Sequence, residues 1–261
     1  MNIVVCIKQV PATTKVKIDP ETNTLMREGT ESIINPFDTY ALEEAIRIKE
    51  KLGGKVTAVT MGPPQAEEAL REAIAMGVDD VILLSDRKFA GADTLATSYT
   101  LSKGIKKIGQ FDLIICGKQT ADGDTAQVGP ELAQKLGASI VTYVSQIKNI
   151  EDGCIQFQRM IEDGYEVIEA EMPLVITVVK EISEPRVPSL RGMMRAKKAE
   201  IMTWSAKDIG ADDEKIGMSG SPTQVVRIFA PEVSKKGEII EGEPIEIAEK
   251  LISKLRESKI I

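Results

Sequence analysis

The chain has 261 residues, of which 43% are hydrophobic and 28% charged, a balance typical of a globular protein. Its formal net charge of -7 argues against a general nucleic-acid-binding protein, because such proteins need a basic face to neutralise phosphates. The sequence contains no histidine, which excludes Ser-His and Cys-His nucleophile pairs. A hydrolase is therefore not expected.

The longest apolar run, residues 172–179, is far shorter than the roughly 20 residues that span a bilayer. The N-terminus enters a strand pattern without the layout of a signal peptide. Cys6, Cys116 and Cys154 are far apart and show no metal-ligand spacing. An odd number of cysteines without a paired framework is typical of a reducing compartment. We therefore expect a cytoplasmic protein with no membrane insertion and no metal site.

The first elements follow from the hydrophobic pattern and the turn residues. Residues 2–10 predict a buried strand, and residues 15–31 predict an excursion in the form of a hairpin. Asn35 and Pro36 predict the capped start of a helix, which Gly53 ends. Strands at 56–61, 81–84, 113–116 and 140–144 then alternate with helices at 65–76, 93–108 and about 125–136. This alternation predicts an α/β protein with a doubly wound, mostly parallel sheet.

The pattern changes after residue 144. A β-hairpin insertion is expected at residues 150–172, followed by a strand at 174–179. Residues from 184 onward predict a long irregular stretch, and a closing helix is expected at 244–255. We divide the chain into a domain at 1–200 and a C-terminal arm at 201–261. The arm is poor in apolar residues, which favours a segment that wraps a partner subunit over a loosely packed second subdomain.

In a doubly wound sheet, ligands bind beyond the carboxyl ends of the strands. Residues 117–129 are the most informative segment there, because they are small and polar and open a helix whose amides can hold a phosphate. Gly123 permits close approach or a positive φ. The alternative is a plain strand-to-helix connection with Asp124 or Thr125 as the cap. The chain has neither a P-loop nor a Gly-x-Gly-x-x-Gly motif, which disfavours a plain dehydrogenase. Four other segments also meet the rule: 6–9, 35–38, 61–62 and 91–97.

Three further features each allow two interpretations. Cys6 and Cys116 favour the role of small buried hydrophobes. Asp93 and Thr94 predict a helix cap that can also face a ligand. The basic run at 186–198 is typical of a solvated face, but the apolar residues within it suggest an interface.

A set of short segments then carries a family resemblance. The segments are VVCIKQVP at 4–11, INPFD at 34–38 with LEEA at 42–45, TMGP at 60–63, AMG at 75–77, GKQ at 117–119, and EPR at 184–186 with AKK at 196–198. In this order, over nearly the whole chain, they resemble the beta subunits of electron-transfer flavoproteins.

The resemblance implies a Rossmann-like sheet of the adenine-nucleotide-binding type and a heterodimer with an alpha subunit that carries a flavin. In the ordinary branch of the family the beta subunit holds AMP, whereas in the electron-bifurcating branch it holds FAD, which takes hydride from NADH. The AMP branch typically has bulkier acidic and cysteine residues where this chain has Gly123 and Thr125. Residues 122–129, together with 92–98, therefore resemble the bifurcating form.

The same resemblance implies the roles of individual residues. No acid–base catalytic residue is expected, since the flavin carries the chemistry. Docking of a dehydrogenase is implied for a loop at 184–196, through Arg186, Leu190, Met193 and Met194. Cofactor binding is implied for Cys6, Asn35, Asp38, Met61, Thr94, Thr97, Gly117, Gln119, Asp122, Gly123, Asp124, Thr125, Ala126, Gln127 and Val128.

The partners implied are the alpha subunit, ferredoxin, and either an acyl-CoA dehydrogenase/reductase or an FAD-linked 2-hydroxy-acid (lactate) dehydrogenase. Two rival functions remain open from the residues themselves. One is a regulatory or structural subunit that holds only AMP. The other is an ATP-binding module similar to universal stress proteins, which would fold without a partner.

Overall fold

The computed structural model describes residues 1–12, 32–226 and 237–261. The excursion expected at 15–31 lies outside these residues. The strands are β1 (Asn2–Cys6), β2 (Gln9–Pro11), β3 (Ser32–Ile34), β4 (Lys55–Met61), β5 (Asp80–Leu84), β6 (Leu113–Gly117), β7 (Ser139–Glu151), β8 (Cys154–Ile161), β9 (Gly164–Glu171), β10 (Leu174–Val178) and β11 (Met202–Trp204). The helices are α1 (Pro36–Leu52), α2 (Glu67–Met76), α3 (Thr94–Ile108), α4 (Val128–Leu136), α5 (Leu190–Lys198) and α6 (Pro244–Glu257).

One sheet has the strand order β11-β5-β4-β1-β6-β10-β7-β8-β9. The pairs from β11 to β7 are parallel, whereas β7, β8 and β9 pair antiparallel. The predicted α/β class with a mostly parallel sheet is therefore confirmed. In this sheet β4 lies on one side of β1, and β6 lies on its other side. The direction in which successive strands are added therefore reverses between β1 and β6. Ligands bind at such a switch point in open α/β sheets.

Alternate residues of the central strands enter two cores, one on each face of the sheet. Val5 and Ile115 face α1, α2 and α5, whereas Val4 and Ile114 face α3 and α4. The central strands are buried on both faces, which explains their nearly continuous apolar sequences. These two layers of helices fix the loops at the carboxyl edge of the sheet.

The helix predictions were correct where a local signal set the boundary. Pro36 occupies the start of α1 and Gly53 its C-cap, and Asp93 caps α3 by accepting a hydrogen bond from the amide of Ala96 at 3.1 Å. The prediction that α4 begins near residue 125 was wrong. The helix begins at Val128, because Ala126 has a φ of +54° and interrupts the helical backbone.

The irregular stretch and docking loop expected at 184–196 also differ from the structure, because residues from Leu190 form helix α5. Ser189 caps this helix by accepting a hydrogen bond from the amide of Gly192 at 3.0 Å. A side chain at Gly192 would collide with the backbone of Ala75, so glycine allows α5 to pack closely on α2. At the other end, Arg71 donates to the carbonyl of Ala196 at 2.6 Å. Helix α5 is therefore held at both ends by tertiary contacts.

The compact unit extends from Met1 to Val226, beyond residue 200, where the arm was expected to begin. Strand β11 pairs with β5 at one edge of the sheet, and Ala206, Ile209 and Ile216 are buried. The described residues 237–261 belong to a second unit, in which α6 includes the expected closing helix. Among the described residues, we find no helix with the length and apolar character needed to cross a membrane.

Candidate functional site

The floor of the candidate site is the pair of strand ends at the switch point. Cys6 and Cys116 are register partners on β1 and β6, and both side chains are buried. A hydrogen bond with the Cys6 thiol, together with burial, raises the pKa of the Cys116 thiol well above its usual value. The Cys116 thiol therefore stays protonated at neutral pH, and the two cysteines pack as small side chains beneath the site.

Asn35 does not cap α1 with its side chain, contrary to the expectation from sequence. Its fully buried amide instead holds the loop after β6, since Nδ2 donates to the carbonyl of Gln119 at 2.9 Å. Its Oδ1 accepts a hydrogen bond from the amide of Ala121 at 3.0 Å. Asn35 thus fixes the loop at residues 117–124 to the start of α1.

Asp38 lies beside Asn35 and is almost completely buried. Its carboxylate accepts a hydrogen bond from the amide of Lys8 at 2.8 Å. Burial raises the pKa of the Asp38 carboxyl to about 7, although hydrogen bonds from Asn35, Lys8 and Gly117 partly oppose the shift. A side chain at Gly117 would collide with this carboxylate, so glycine is required at the end of β6.

The two acidic side chains of the loop are already paired. Asp122 forms a salt bridge with Lys8 at 2.7 Å, and Asp124 accepts a hydrogen bond from the side chain of Gln119. Burial alone would raise the pKa of the Asp122 carboxyl, but hydrogen bonding and the charge of Lys8 outweigh it and lower the pKa. The Lys8 ammonium group thus offsets the negative charge that Asp122 would otherwise present to an anionic ligand.

The start of α4 presents backbone amides that have no acceptor in the described part of the chain. Asp124 and Ala126 have positive φ values of 53° and 54°, whereas Gly123, expected to permit close approach or a positive φ, has no positive φ. The amides of residues 125–129 donate no hydrogen bond to any described residue. Amides in this position, together with the helix dipole, favour a bound phosphate.

Side chains of α3 connect to the same helix start. Thr94 Oγ1 lies 3.0 Å from Gln127 Oε1 and 3.1 Å from Glu131 Oε1. Ser98 donates a hydrogen bond to the other carboxylate oxygen of Glu131 at 3.0 Å. Ser98 belongs to the segment at 92–98 that carries part of the family resemblance, whereas no sequence signal marks Glu131. The two residues come together only because α3 packs on α4.

Other predicted site residues have fewer contacts. Met61 ends β4 and is partly buried, and Thr97 lies in the first turn of α3 with its amide bonded to the carbonyl of Asp93 at 2.9 Å. Thr125 is exposed in the loop, and Val128 opens α4. The residues that follow β1 and β6 are therefore joined by hydrogen bonds and a salt bridge. Thr94 lies at their edge, where α3 packs against α4.

Arg186, expected to bind a partner, is engaged within the chain. Its guanidinium donates to Glu43 at 2.8 Å and to Glu50 at 2.6 Å. Burial alone would raise the pKa of Glu43, but hydrogen bonds from Arg186 and Arg47 hold it below its usual value. Arg186 thus anchors the segment that precedes α5 to α1.

The other three predicted docking residues are exposed on α5. Their exposed fractions are 78% for Leu190, 42% for Met193 and 63% for Met194. Val187, just before the helix, is also exposed. We call these four side chains the α5 surface. Apolar groups of this size on an otherwise charged segment are typical of an interaction site.

Comparison with known proteins identifies the family. Residues 22–209 match the model of the electron transfer flavoprotein domain. The chain is 51% identical, over the full length of both chains, to an electron transfer flavoprotein subunit beta from Thermoanaerobacterium thermosaccharolyticum. It is 53% identical, again over both full lengths, to the caffeyl-CoA reductase-Etf complex subunit CarD from Acetobacterium woodii. It is 48% identical to protein FixA from Azotobacter vinelandii, over 98% of this chain and 94% of that protein. The chain therefore belongs to the electron transfer flavoprotein beta-subunit family.

Proposed function

We propose that this chain is the beta subunit of an electron-bifurcating electron transfer flavoprotein. It holds FAD at the carboxyl edge of the sheet and receives a hydride, and thus two electrons, from NADH. One electron passes to the flavin of the alpha subunit and then to a partner dehydrogenase. The other passes to a low-potential carrier such as ferredoxin. The observation that carries this proposal is the row of backbone amides at residues 125–129, which have no acceptor among the described residues.

The residues at this position fit a diphosphate. The loop is held from both sides by Asn35 and Lys8, so its amides are positioned before any ligand binds. Gly129 allows the first turn of α4 to lie against β10, because a side chain there would approach Thr177 to 2.5 Å. When bound, FAD supplies the capacity to accept a hydride and to release electrons singly. The protein's part is to bind and orient it.

The alternative is the non-bifurcating form with AMP in the same site. The small Gly123 and Thr125, where the AMP branch has bulkier residues, support FAD. A fully assembled heterodimer distinguishes the two. We expect the purified pair to contain two flavins, one for each subunit, and expect NADH to reduce flavin in the absence of any dehydrogenase.

The measurement is flavin content by absorbance after denaturation, followed by anaerobic titration with NADH. A preparation with a single flavin, with AMP released on denaturation and no response to NADH, would contradict the proposal. A stable monomer that binds ATP and no flavin would instead support the module similar to universal stress proteins.

We further propose that the α5 surface docks the dehydrogenase. The similarity to a subunit of a caffeyl-CoA reductase-Etf complex supports a partner of the acyl-CoA dehydrogenase/reductase class. An FAD-linked 2-hydroxy-acid (lactate) dehydrogenase is the alternative partner. The C-terminal arm is proposed to pack on the alpha subunit, since α6 exposes Ile245, Leu251 and Ile252.

Replacing Leu190 with Ala is expected to lower kcat/KM for electron transfer to the dehydrogenase about tenfold, as for a truncated apolar anchor worth about 1–2 kcal/mol. Flavin content and reduction by NADH should not change, because α5 and α4 pack on opposite faces of the sheet. Leu52→Ala is the matched control, since Leu52 is a helical leucine that is 44% exposed outside the α5 surface. Equal transfer rates for the two variants would exclude α5 as the docking surface.

A further inference from the structure

The segment that leads into α5 carries part of the α5 surface but has no regular structure of its own. Residues 183–189 form neither helix nor strand and include Pro185 and Pro188. Val187 lies in this segment and is 89% exposed. Within the segment, only the amide of Arg186 donates a hydrogen bond to a described residue. The position of this backbone therefore depends on the contacts that Arg186 and its neighbours make with the rest of the chain.

Helix α1 supplies those contacts. The amide of Arg186 donates to Glu43 at 3.1 Å, and its guanidinium also donates to Glu43 at 2.8 Å. Two other guanidinium nitrogens donate to Glu50 at 2.6 and 2.9 Å, about two helical turns further along α1. From the same helix, Arg47 donates to the carbonyl of Glu184 at 3.2 Å. The backbone at Glu184 and at Arg186 is therefore bound directly to α1.

A second attachment lies beyond the other end of the α5 surface. Arg71 of α2 donates to the carbonyls of Ala196 and Ala199 at 2.6 and 3.2 Å. The exposed apolar side chains thus lie between one attachment to α1 and another to α2, and both helices belong to the same core. A surface that is already ordered binds a partner more tightly, because binding then costs less conformational entropy. The two attachments therefore preorganise the α5 surface.

We propose that Arg186 is a positioning residue for docking, which holds Val187 and Leu190 in the orientation that the partner dehydrogenase binds. The inference rests on the proposed docking of the dehydrogenase at the α5 surface. This role differs from the direct contact expected from the sequence, because the guanidinium is already engaged by Glu43 and Glu50. Val187 follows Arg186 directly, and Leu190 is the first residue of α5. Arginine suits the position because its planar fork can bind two carboxylates at once.

The test follows electron transfer from NADH, through the purified heterodimer, to increasing concentrations of a purified acyl-CoA dehydrogenase, with ferredoxin and an enoyl-CoA present. Arg186→Gln is expected to raise KM for the dehydrogenase about fivefold with little change in kcat, because docking must then order the segment first. Arg186→Lys should resemble Arg186→Gln, since one ammonium group cannot replace the fork. Glu50→Gln changes an exposed carboxylate and should fold normally, and it should raise KM by a smaller factor.

A double variant separates positioning from a general loss of stability. If Arg186 acts by presenting Leu190, adding Arg186→Gln to Leu190→Ala should change KM by less than about twofold. Lys49→Gln is the matched control, because Lys49 forms another partly buried salt bridge from α1, to Asp79 at 3.0 Å. Its KM should equal that of wild type. Urea unfolding and flavin content are measured for every variant, so that a loss of folded heterodimer is not counted as a loss of docking.

The outcomes separate the inference from the proposed function. A wild type that transfers electrons to neither class of dehydrogenase named above would overturn the proposed function, and equal KM values for Leu190→Ala and wild type would overturn docking at α5. The inference would be lost in both cases. A raised KM for Leu190→Ala, with Arg186→Gln and Glu50→Gln equal to wild type, would overturn the inference alone. Full additivity in the double variant, or the same rise in KM for Lys49→Gln, would also overturn it.

Discussion

Replacing Glu43 with Gln is expected to lower the free energy of unfolding by about 2–3 kcal/mol, because it breaks a largely buried ion pair on one side only. The Glu43 side chain is 2% exposed and accepts hydrogen bonds from Arg186 and Arg47. In the variant, Arg186 keeps Glu50 as a partner, which limits the loss. Urea denaturation followed by circular dichroism at neutral pH measures the effect.

The pH dependence gives a second check on the same contact. The pKa of Glu43 is lower in the folded chain than its usual value, so its stabilising contribution is present above that usual value. The contribution is lost as the pH falls through the folded pKa, and wild type and Glu43→Gln should then converge. Glu44→Gln is the control, since burial raises the pKa of Glu44 and its carboxylate forms no salt bridge with any described residue. A control as destabilised as Glu43→Gln would show that the ion pair is not the cause.

Replacing Asp38 with Asn is expected to remove a large part of the pH dependence of stability. The folded pKa of Asp38 is raised to about 7 by burial, so its contribution to stability is fully present below the unfolded pKa. It is lost as the pH rises through the folded pKa, because the unfolded chain then gains more from ionisation. Between about pH 5 and about pH 8, wild type should lose roughly 2–3 kcal/mol relative to the variant.

Unfolding free energies of the two chains, measured over this range without cofactor, give the comparison. Thr39→Ala serves as a control because it alters the same helical turn, where Thr39 donates to the carbonyl of Pro36, without changing a titratable group. Its profile should run parallel to that of wild type. Profiles for Asp38→Asn and wild type that are also parallel would mean that Asp38 ionises normally in the folded chain.

The sequence predicted those parts of the fold that local chemistry determines. Pro36 at the start of α1 and Asp93 at the cap of α3 act within one turn, so their effect is visible in the sequence. The alternation of strands and helices likewise follows from hydrophobic periodicity. The place of residues 117–129 at the carboxyl edge of the sheet followed from their position after a predicted parallel strand, whereas their binding of a ligand stays a prediction.

Features that depend on distant contacts were missed. Helix α5 requires Ala75 and Arg71 of α2 as neighbours. The prolines before it and the basic residues mostly within it suggested an irregular chain instead. Asn35 resembles a helix cap in sequence, but the loop after β6 offers its side chain other partners. Positive φ values occur at Asp124 and Ala126 and not at Gly123, and no local preference of alanine would indicate the one at Ala126.

The place of β10 in the sheet has a consequence for how the protein is made. This strand lies between β6 and β7, although it follows both in the chain, and its Thr177 supports the start of α4. A nascent chain emerging from the ribosome therefore has the loop at 117–129 long before it has the strand that braces it. The loop proposed to hold FAD is therefore braced by Thr177 only after translation has passed Val178. A stalled or truncated product would lack the braced site and expose the open flank of β6 to aggregation.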